Sequence, residues 1–201
     1  HAQEFGWLGW AKNGESAGTA GYSYRLEAIE VKLVEKGGKA PGSTQDAYRQ
    51  RYVSYQTHVQ DIGWQGIKYD GEEAGTSGQS KRLEAINISL SNPLYSGSIE
   101  YQTHVQDIGW QGWKANGQMA GTSGQSKRLE AIRIKLTDEL AENYDIYYRV
   151  HAQEFGWLGW AKNGESAGTE GYSYRLEAIQ IQLVKKGSSA PGSTSNCFYK
   201  R

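Results

Sequence analysis

An alternation of apolar and polar side chains recurs four times along the chain. In its first occurrence Ile29, Val31 and Leu33 alternate with Glu30 and Lys32. It returns in three further sets: Ile86, Ile88 and Leu90; Ile132, Ile134 and Leu136; Ile179, Ile181 and Leu183. A period of two is typical of a strand with one buried face. The sequence therefore predicts one half-buried strand at the end of each copy of a fourfold repeat.

Three further segments precede that strand. A run of β-forming residues leads into a Gly-Trp pair and predicts an opening strand, seen in Tyr55–Ile62, Tyr101–Ile108 and Tyr148–Phe155. An Asn-Gly or Asp-Gly pair then predicts a tight hairpin, since both tolerate the positive φ angles of a type I′ turn. These pairs are Asn13-Gly14, Asp70-Gly71, Asn116-Gly117 and Asn163-Gly164. A stretch of small residues follows, Ala17–Arg25 in the first copy, and suits a close approach of backbones.

The connections between copies differ in composition. Gly37–Thr44 and Gly187–Thr194 are rich in Gly, Pro and Ser and predict mobile loops. Asn92–Gly97 predicts a short turn, and Thr137–Glu142 predicts a single helical turn. None has the length of an interdomain linker, so the sequence predicts one domain over residues 1–201.

The copy boundaries follow from the Gly-Trp pairs, which begin at Gly6, Gly63, Gly109 and Gly156 and indicate a repeat architecture. The copies cover about residues 1–44 completed by 195–201, then 45–92, 93–140 and 141–194. The completion is expected because residues 198–201 align with residues 147–150, which precede His151, the counterpart of His1. The chain thus reads as a circle cut inside one strand.

We expect an all-β, pseudo-symmetric closed repeat fold that is four-bladed propeller-like, because closed rings remove the unpaired edges of sheets. A β-prism-like fold, in which three copies close a triangle, is the alternative. The chain is expected to be a monomer closed by its own termini. A strand-swapped homo-oligomer and a fragment of a longer array are the alternatives to this closure.

Composition and charge restrict the classes of partner that the chain is expected to bind. The chain has 22 Lys and Arg against 22 Asp and Glu, which argues against nucleic acid or another polyanion. No apolar run approaches the roughly 18 residues that cross a bilayer, so membrane insertion is not expected. Cys197 is the single cysteine, which excludes an intrachain disulfide, and its place near the end makes it an expected bystander.

The repeated pattern resembles a known family. His-x-Gln-x-x-Gly-Trp-x-x-Trp, followed by Asn-Gly and by Gly-Thr-x-Gly-x-Ser-x-Arg-Leu-Glu-Ala-Ile, is similar to the clostridial hydrophobic repeats with a conserved tryptophan, the ChW repeats, over nearly the whole chain. The resemblance implies a non-catalytic accessory module of a secreted or cell-surface protein, mostly of Gram-positive bacteria. It also implies an extracellular or cell-surface location and binding to cell-wall material, glycans or proteins.

Two sets of tryptophans are the first candidate residues. Trp7, Trp64, Trp110 and Trp157 occur in every copy. They are expected in the core, because a residue required by every repeat usually fills the interface between neighbours. Trp10, Trp113 and Trp160 are replaced by Ile67 in the second copy, so they either pack or offer a flat platform to a sugar ring, and such a site would be altered there.

The histidines and the Arg-x-Glu pairs favour structural roles. His1, His58, His104 and His151 each have a Gln two residues later, and the four Arg-x-Glu pairs begin at Arg25, Arg82, Arg128 and Arg175. No copy supplies metal-ligand spacing, so no metal and no cofactor is expected. Four equivalent glutamates are also hard to divide into the acid and base of a glycosidase, so no catalytic residue is expected.

Two positions that differ between the copies provide the remaining candidate ligand-binding residues. Tyr22, Gln79, Gln125 and Tyr172 vary together with Tyr24, Lys81, Lys127 and Tyr174. Because tyrosine is enriched in recognition surfaces, Tyr22, Tyr24, Tyr172 and Tyr174 join Trp10, Trp113 and Trp160 as candidate ligand-binding residues. We expect a non-enzymatic module that recognises a glycan, cell-wall polymer or surface glycoprotein. The alternative is a scaffold or adhesin that engages a host or partner protein.

Overall fold

A computed structural model describes residues 1–91 and 93–201, so that Asn92, the last residue of the predicted second copy and the first of the predicted turn, lies outside the described residues. The chain forms two compact units, His1–Arg51 and Tyr52–Arg201. The described residues are strands and loops apart from the short helix α1, Asp138–Asn143, which coincides with the predicted helical turn. Within these ranges no helix is long and apolar enough to cross a membrane. The all-β prediction is confirmed, whereas the single domain stays a prediction.

The strands of the first unit are β1 (Gly18–Ala20) and β2 (Tyr48–Gln50). In the second unit, the second copy contributes β3 (Val53–Val59), β4 (Gly63–Trp64), β5 (Lys68–Tyr69), β6 (Ala74–Gly75) and β7 (Leu83–Leu90). The third contributes β8 (Ile99–Val105), β9 (Gly109–Trp110), β10 (Lys114–Ala115), β11 (Ala120–Gly121) and β12 (Leu129–Leu136). The fourth contributes β13 (Tyr144–Ala152), β14 (Gly156–Trp157), β15 (Ala161–Lys162), β16 (Ala167–Glu170) and β17 (Leu176–Lys185), and β18 (Phe198–Lys200) follows.

A long antiparallel pair forms the centre of each copy in the second unit. The opening strand pairs with the last strand as β3–β7, β8–β12 and β13–β17, which confirms both strand predictions in these copies. The short Gly-Trp strand folds back on the opening strand, so that Trp64 lies opposite His58. The turn between them contains Asp61 at φ 61°, an angle that a carboxylate side chain tolerates better than most. Local sequence therefore accounts for these pairs.

The Ala-Gly strand of each copy leaves its own sheet and joins that of a neighbour. β11 pairs with β7, β16 with β12, and β6 with β17. These pairings link the second, third and fourth copies in a closed cycle. Glycine is required at the crossing, because a Cβ on Gly75 would lie 2.3 Å from the Glu177 carbonyl oxygen.

The cycle bears on two expectations. It contains three copies, so the strand pairing of the described residues does not confirm the predicted fourfold closure. The Asn-Gly turn also does not make a hairpin, because it carries the chain from one copy's sheet to the next. Asn163 and Gly164 do have the expected positive φ angles, 45° and 93°. Gly164 N then donates to Ile134 O of the third copy at 2.7 Å, and the Asn163 side chain accepts from Ile146 N at 2.9 Å.

Three buried tyrosines complete the contacts between copies. Tyr55, Tyr101 and Tyr148 are fully buried at equivalent places. The Tyr55 hydroxyl donates to Glu72 O in its own copy and accepts from Ile181 N of the fourth copy at 3.2 Å. Burial raises the pKa of Tyr55 well above its usual value, so the phenol stays neutral. Ile181 O also accepts from Gly71 N. The next copy therefore bonds both the backbone N–H and the backbone C=O of the middle isoleucine in each last strand.

The first unit lacks these partners for its last segment. Residues 26–33 were expected to form a strand, but their pairing ends near Ala28, after a single bridge between Ala2 and Leu26. Val31 is 85% exposed, whereas its counterpart Ile181 is 0% exposed. The expected strand is not formed because, in the second unit, it depends on an opening strand and on a neighbour's Ala-Gly strand.

The segment after the fourth copy adds a strand to the sheets of the second unit. β18 pairs in parallel with β16 of the fourth copy, while the completion of the first copy by residues 195–201 stays a prediction. The same arrangement occurs in the first unit, where β2 pairs in parallel with β1. We call residues 37–51 and 187–201 the tails of the first and fourth copies. Each tail therefore belongs to the copy that precedes it.

The buried tyrosine hydroxyls give a test of the cycle. Tyr148→Phe should lower the free energy of unfolding by about 1–3 kcal/mol, because it leaves Glu165 O and Ile134 N without their buried partner. Urea unfolding followed by circular dichroism measures the change. Tyr95→Phe, at a residue that is 40% exposed, is the control and should have little effect. Equal stability of the two variants would contradict the assigned role of Tyr148.

Candidate functional site

A β-bulge places a glutamate inside each copy of the second unit. Between β13 and β17 the register shifts at Glu177, which therefore points inward beside its buried neighbours. Bulges re-aim side chains in this way. Arg175 donates to Glu177 Oε1 through Nε at 2.9 Å and Nη2 at 2.7 Å. The predicted structural role of the Arg-x-Glu pair agrees with this geometry.

The histidine of each copy joins the same cluster. His151 Nδ1 lies 3.2 Å from Glu177 Oε2, at angles that do not make a regular hydrogen bond. Gly78 N of the second copy donates to that same oxygen at 3.3 Å. The buried carboxylate therefore also holds a loop of the neighbouring copy. Among the described residues, no three His, Cys, Asp or Glu side chains gather as metal ligands.

The tryptophan that every copy contains lies at the surface, which corrects the expectation of a core position. Trp7 is 56% exposed and Trp64 is 38% exposed, while Trp110 and Trp157 are half-buried. Each ring packs edge-to-face against the histidine of its own copy, as in the 5.6 Å between His151 and Trp157. The core is filled by aliphatic residues and tyrosines of the long strands instead. These tryptophans are thus fixed at one edge and accessible elsewhere.

The tail of the fourth copy crosses directly over the Gly-Trp-Leu-Gly-Trp segment. Trp160 N donates to Ser193 O at 2.8 Å, and a Cβ on Gly159 would lie 2.1 Å from Ser195 O. Trp160 is only 5% exposed under this tail, so its ring offers no free platform in this structure. The loop predicted to be mobile is therefore bonded to the repeat.

A groove lies between the tail and the half-buried Trp157. We call it the copy-4 groove. It is lined by the aromatic residues Phe155, Trp157 and Tyr199, by Leu158 and Gly159, and by the polar residues Arg149, Ser193, Ser195 and Asn196. Its volume is about 340 Å³. Aromatic faces surrounded by a few polar groups are the usual composition of a small-ligand site.

The first unit contains an equivalent groove of about 330 Å³, which we call the copy-1 groove. It is lined by Phe5, Trp7, Leu8, Gly9, Trp10, Ser43, Gln45, Asp46 and Arg49. The frame is the same, because residues 1–51 repeat as residues 151–201 without a gap. The lining differs, since Asp46 and Arg49 stand where the fourth copy has Asn196 and Tyr199.

The predicted tyrosine pairs lie behind the grooves and hold the tails. Tyr172 and Tyr174 pack against Phe155, with ring centroids 5.6 and 5.8 Å away. Arg201 of the tail lies over Tyr172 at 4.3 Å, and Tyr199 stacks on Phe155 at 4.5 Å. In the first unit, Tyr22 and Tyr24 contact Phe5 in the same way, and Arg51 lies over Tyr22. Tyrosine occurs at these positions in the two copies that carry a tail.

The other two copies use different chemistry at these positions. Lys81 pairs with Asp61, and Lys127 pairs with Asp107, each at 3.1 Å.

Trp113 is 41% exposed, and the ammonium group of Lys135 lies 4.5 Å from its ring centroid. Of the predicted second tryptophans, Trp113 is therefore the exposed one, whereas Trp10 lines the copy-1 groove.

Charges and burial anchor the tail beside the copy-4 groove. Lys200 lies 2.7 Å from Glu170, and this hydrogen bond lowers the pKa of Glu170. Cys197 packs against the core, and burial raises the pKa of its thiol, which disfavours the reactive thiolate. The tail is thus fixed by an ion pair, stacked rings and backbone bonds.

Sequence reasoning missed several groove residues, chiefly Trp157, Phe155, Arg149 and Tyr199. One available signal was the joint occurrence of features in the first and fourth copies. Only these two copies combine Phe before the Gly-Trp pair, Leu after it, a Tyr-x-Tyr pair and an Ala-Pro-Gly-Ser-Thr tail. Residues that change together in this way indicate a shared contact.

Comparison with known proteins identifies the family. The ChW model, described as clostridial hydrophobic W, matches residues 1–35, 58–92, 104–138 and 151–185. The chain belongs to the ChW repeat family and contains four copies of its repeat. No curated protein and no solved structure matches the chain significantly.

The close approach at Gly159 tests how the groove is built. Gly159→Ala should displace the tail, because the new methyl group would overlap Ser195 O. The Trp160 amide should then exchange with solvent at least about tenfold faster, which hydrogen exchange measures. Gly112→Ala in the third copy is the matched control, since nothing lies within 4 Å of its Cβ position. An unchanged exchange rate in Gly159→Ala would contradict this description of the tail.

Proposed function

We propose that this chain is a non-catalytic carbohydrate-binding or cell-wall-binding module, and that the copy-1 and copy-4 grooves are its binding sites. The observation that carries the proposal is the groove itself. In each groove, an indole that packs edge-to-face on a histidine lies beside polar residues of a tail. Indole rings pack well against the apolar faces of sugars, and the polar residues suit their hydroxyl groups.

The dimensions and number of the grooves support a glycan ligand. Their volumes lie at the lower end of the roughly 300–1,000 Å³ range of ligand sites, which suits a short saccharide. Two sites on one chain would strengthen binding to a polymer that repeats its sugar units, since the second contact becomes intramolecular. Cell-wall polymers and surface glycoproteins have such repeats.

The buried carboxylates support a role without catalysis. Glu84, Glu130 and Glu177 are buried, and each forms an ion pair with the arginine two residues before it. Among the described residues that line the copy-4 groove, none is Asp or Glu. A glycosidase needs two carboxyl groups beside the scissile bond. The family membership, in turn, is the basis for proposing a secreted or cell-surface location in a Gram-positive bacterium.

For the architecture, we propose that the three-copy cycle of the second unit is prism-like rather than propeller-like. Its support is the exchange of Ala-Gly strands, by which each of three sheets receives a strand from a neighbour. Blades of a propeller would each hold their own strands more independently.

A second candidate function is binding to a host or partner protein. The observation that favours it is the exposed apolar segment of the first unit, where Ile29 is 73% and Leu33 is 98% exposed. An extended segment with unpaired backbone groups can be completed by a strand of another protein.

Binding tests separate these functions. The double variant Trp7→Ala/Trp157→Ala should weaken binding to a glycan array and to isolated cell walls by at least about tenfold, because it removes one indole from each groove. Trp113→Ala, which removes an exposed indole outside the grooves, is the matched control. Absence of binding to every glycan and wall preparation, together with capture of a protein through residues 26–33, would favour the second function.

A further inference from the structure

The copy-4 groove contains a positive charge that no carboxylate neutralises. Arg149 of β13 lines this groove, and the Nε of this arginine donates to Gln180 Oε1 at 2.6 Å. Its guanidinium lies 4.9 Å from the ring centroid of Trp157 and 5.0 Å from that of Trp160. No carboxylate in the described part of the chain pairs with it. The two terminal nitrogens are therefore open to a ligand.

The copy-1 groove has a different charge balance. Arg49 takes the place of Tyr199, and its Nη2 donates to Asp46 Oδ2 at 3.2 Å. Asp46 in turn replaces Asn196. The positive charge of this groove is thus neutralised from within. Among the aligned residues 1–51 and 151–201, the two grooves therefore differ in charge at these two positions.

We propose that the copy-4 groove selects a saccharide that carries a carboxylate, and that Arg149 is the residue that binds it. This inference rests on the proposed glycan-binding function and specifies the ligand class of one site. A guanidinium matches a carboxylate in two parallel hydrogen bonds, and such charge-assisted bonds are stronger than neutral ones.

The surroundings of Arg149 fit this role. Gln180 and the two indole rings hold the guanidinium in place before a ligand arrives, so little conformational freedom is lost on binding. The aromatic contacts attract the cation without cancelling its charge. Ser193 and Asn196 also line the groove and offer a hydroxyl and an amide group to hydroxyl groups of the same sugar. The groove therefore combines a charge, aromatic rings and neutral polar groups.

The experiment uses the full chain with Trp7→Ala, a substitution that removes the Trp7 indole from the copy-1 groove. Binding is measured on an array that contains each uronic-acid saccharide and its methyl ester. The two probes of a pair differ only in whether the carboxyl group carries a negative charge. The acids should bind at least about tenfold more tightly than their esters. Arg149→Gln should abolish this preference, whereas Arg149→Lys should retain part of it. Glutamine is compatible with the strand, because Gln56 and Gln102 occupy the equivalent positions.

Controls separate binding from folding. Arg133→Gln removes an arginine that lies over Trp110 at 4.0 Å in the third copy, outside the groove, and should leave the preference unchanged. Thermal unfolding of each variant checks the fold. If Arg149→Gln is unfolded, the binding of the acids to the Trp7→Ala chain should still weaken steeply with salt, and salt-independent binding would overturn the proposal.

The remaining outcomes are distinct. Equal binding of acids and esters, binding of neutral sugars alone, or a preference that survives in folded Arg149→Gln would each overturn the inference and leave the glycan-binding function standing. If the unmodified chain binds no saccharide or cell wall, the proposed function fails, and this inference fails with it.

Discussion

The folded unit of residues 52–201 depends on the exchange of backbone hydrogen bonds at one isoleucine in each copy. Ile88, Ile134 and Ile181 each donate to a buried tyrosine hydroxyl and accept from the turn glycine of the next copy. Because buried backbone groups are costly when unpaired, no copy in the cycle satisfies its last strand alone. The first unit has a similar segment without these partners, and there Val31, the counterpart of Ile181, is exposed.

A second constraint is the closeness of the crossings. At Gly75, Gly121 and Gly168 the backbones of neighbouring copies approach so closely that a methyl group would overlap a carbonyl oxygen. Gly159 and Gly9 repeat this condition within a copy, where the tail crosses the tryptophan segment. The glycines that the sequence presents as turn residues therefore have two different structural roles. Some allow turns, and others allow two chain segments to touch.

The tails divide the four copies into two kinds. In the second and third copies the surface beside the Gly-Trp pair is held by Lys–Asp pairs, and in the first and fourth it is held by rings stacked on a tail. Each groove is lined both by residues of the tail and by residues of the Gly-Trp segment. The invariant part of the repeat supplies the indole and its histidine support, while the tail supplies polar groups that differ between copies.

Much of this protein was determined by sequence alone. Alternation predicted the long strand pairs, the Asn-Gly dipeptides predicted turns with positive φ, and repetition with the tryptophan pattern predicted the family. Tertiary structure decided how many copies close together, because the choice of neighbour for each Ala-Gly strand depends on long-range hydrogen bonds that no local pattern encodes. It also decided which tryptophans are buried. Trp157 and Trp160 are three residues apart and chemically identical, yet one lines a groove and the other lies beneath a tail that is distant in sequence.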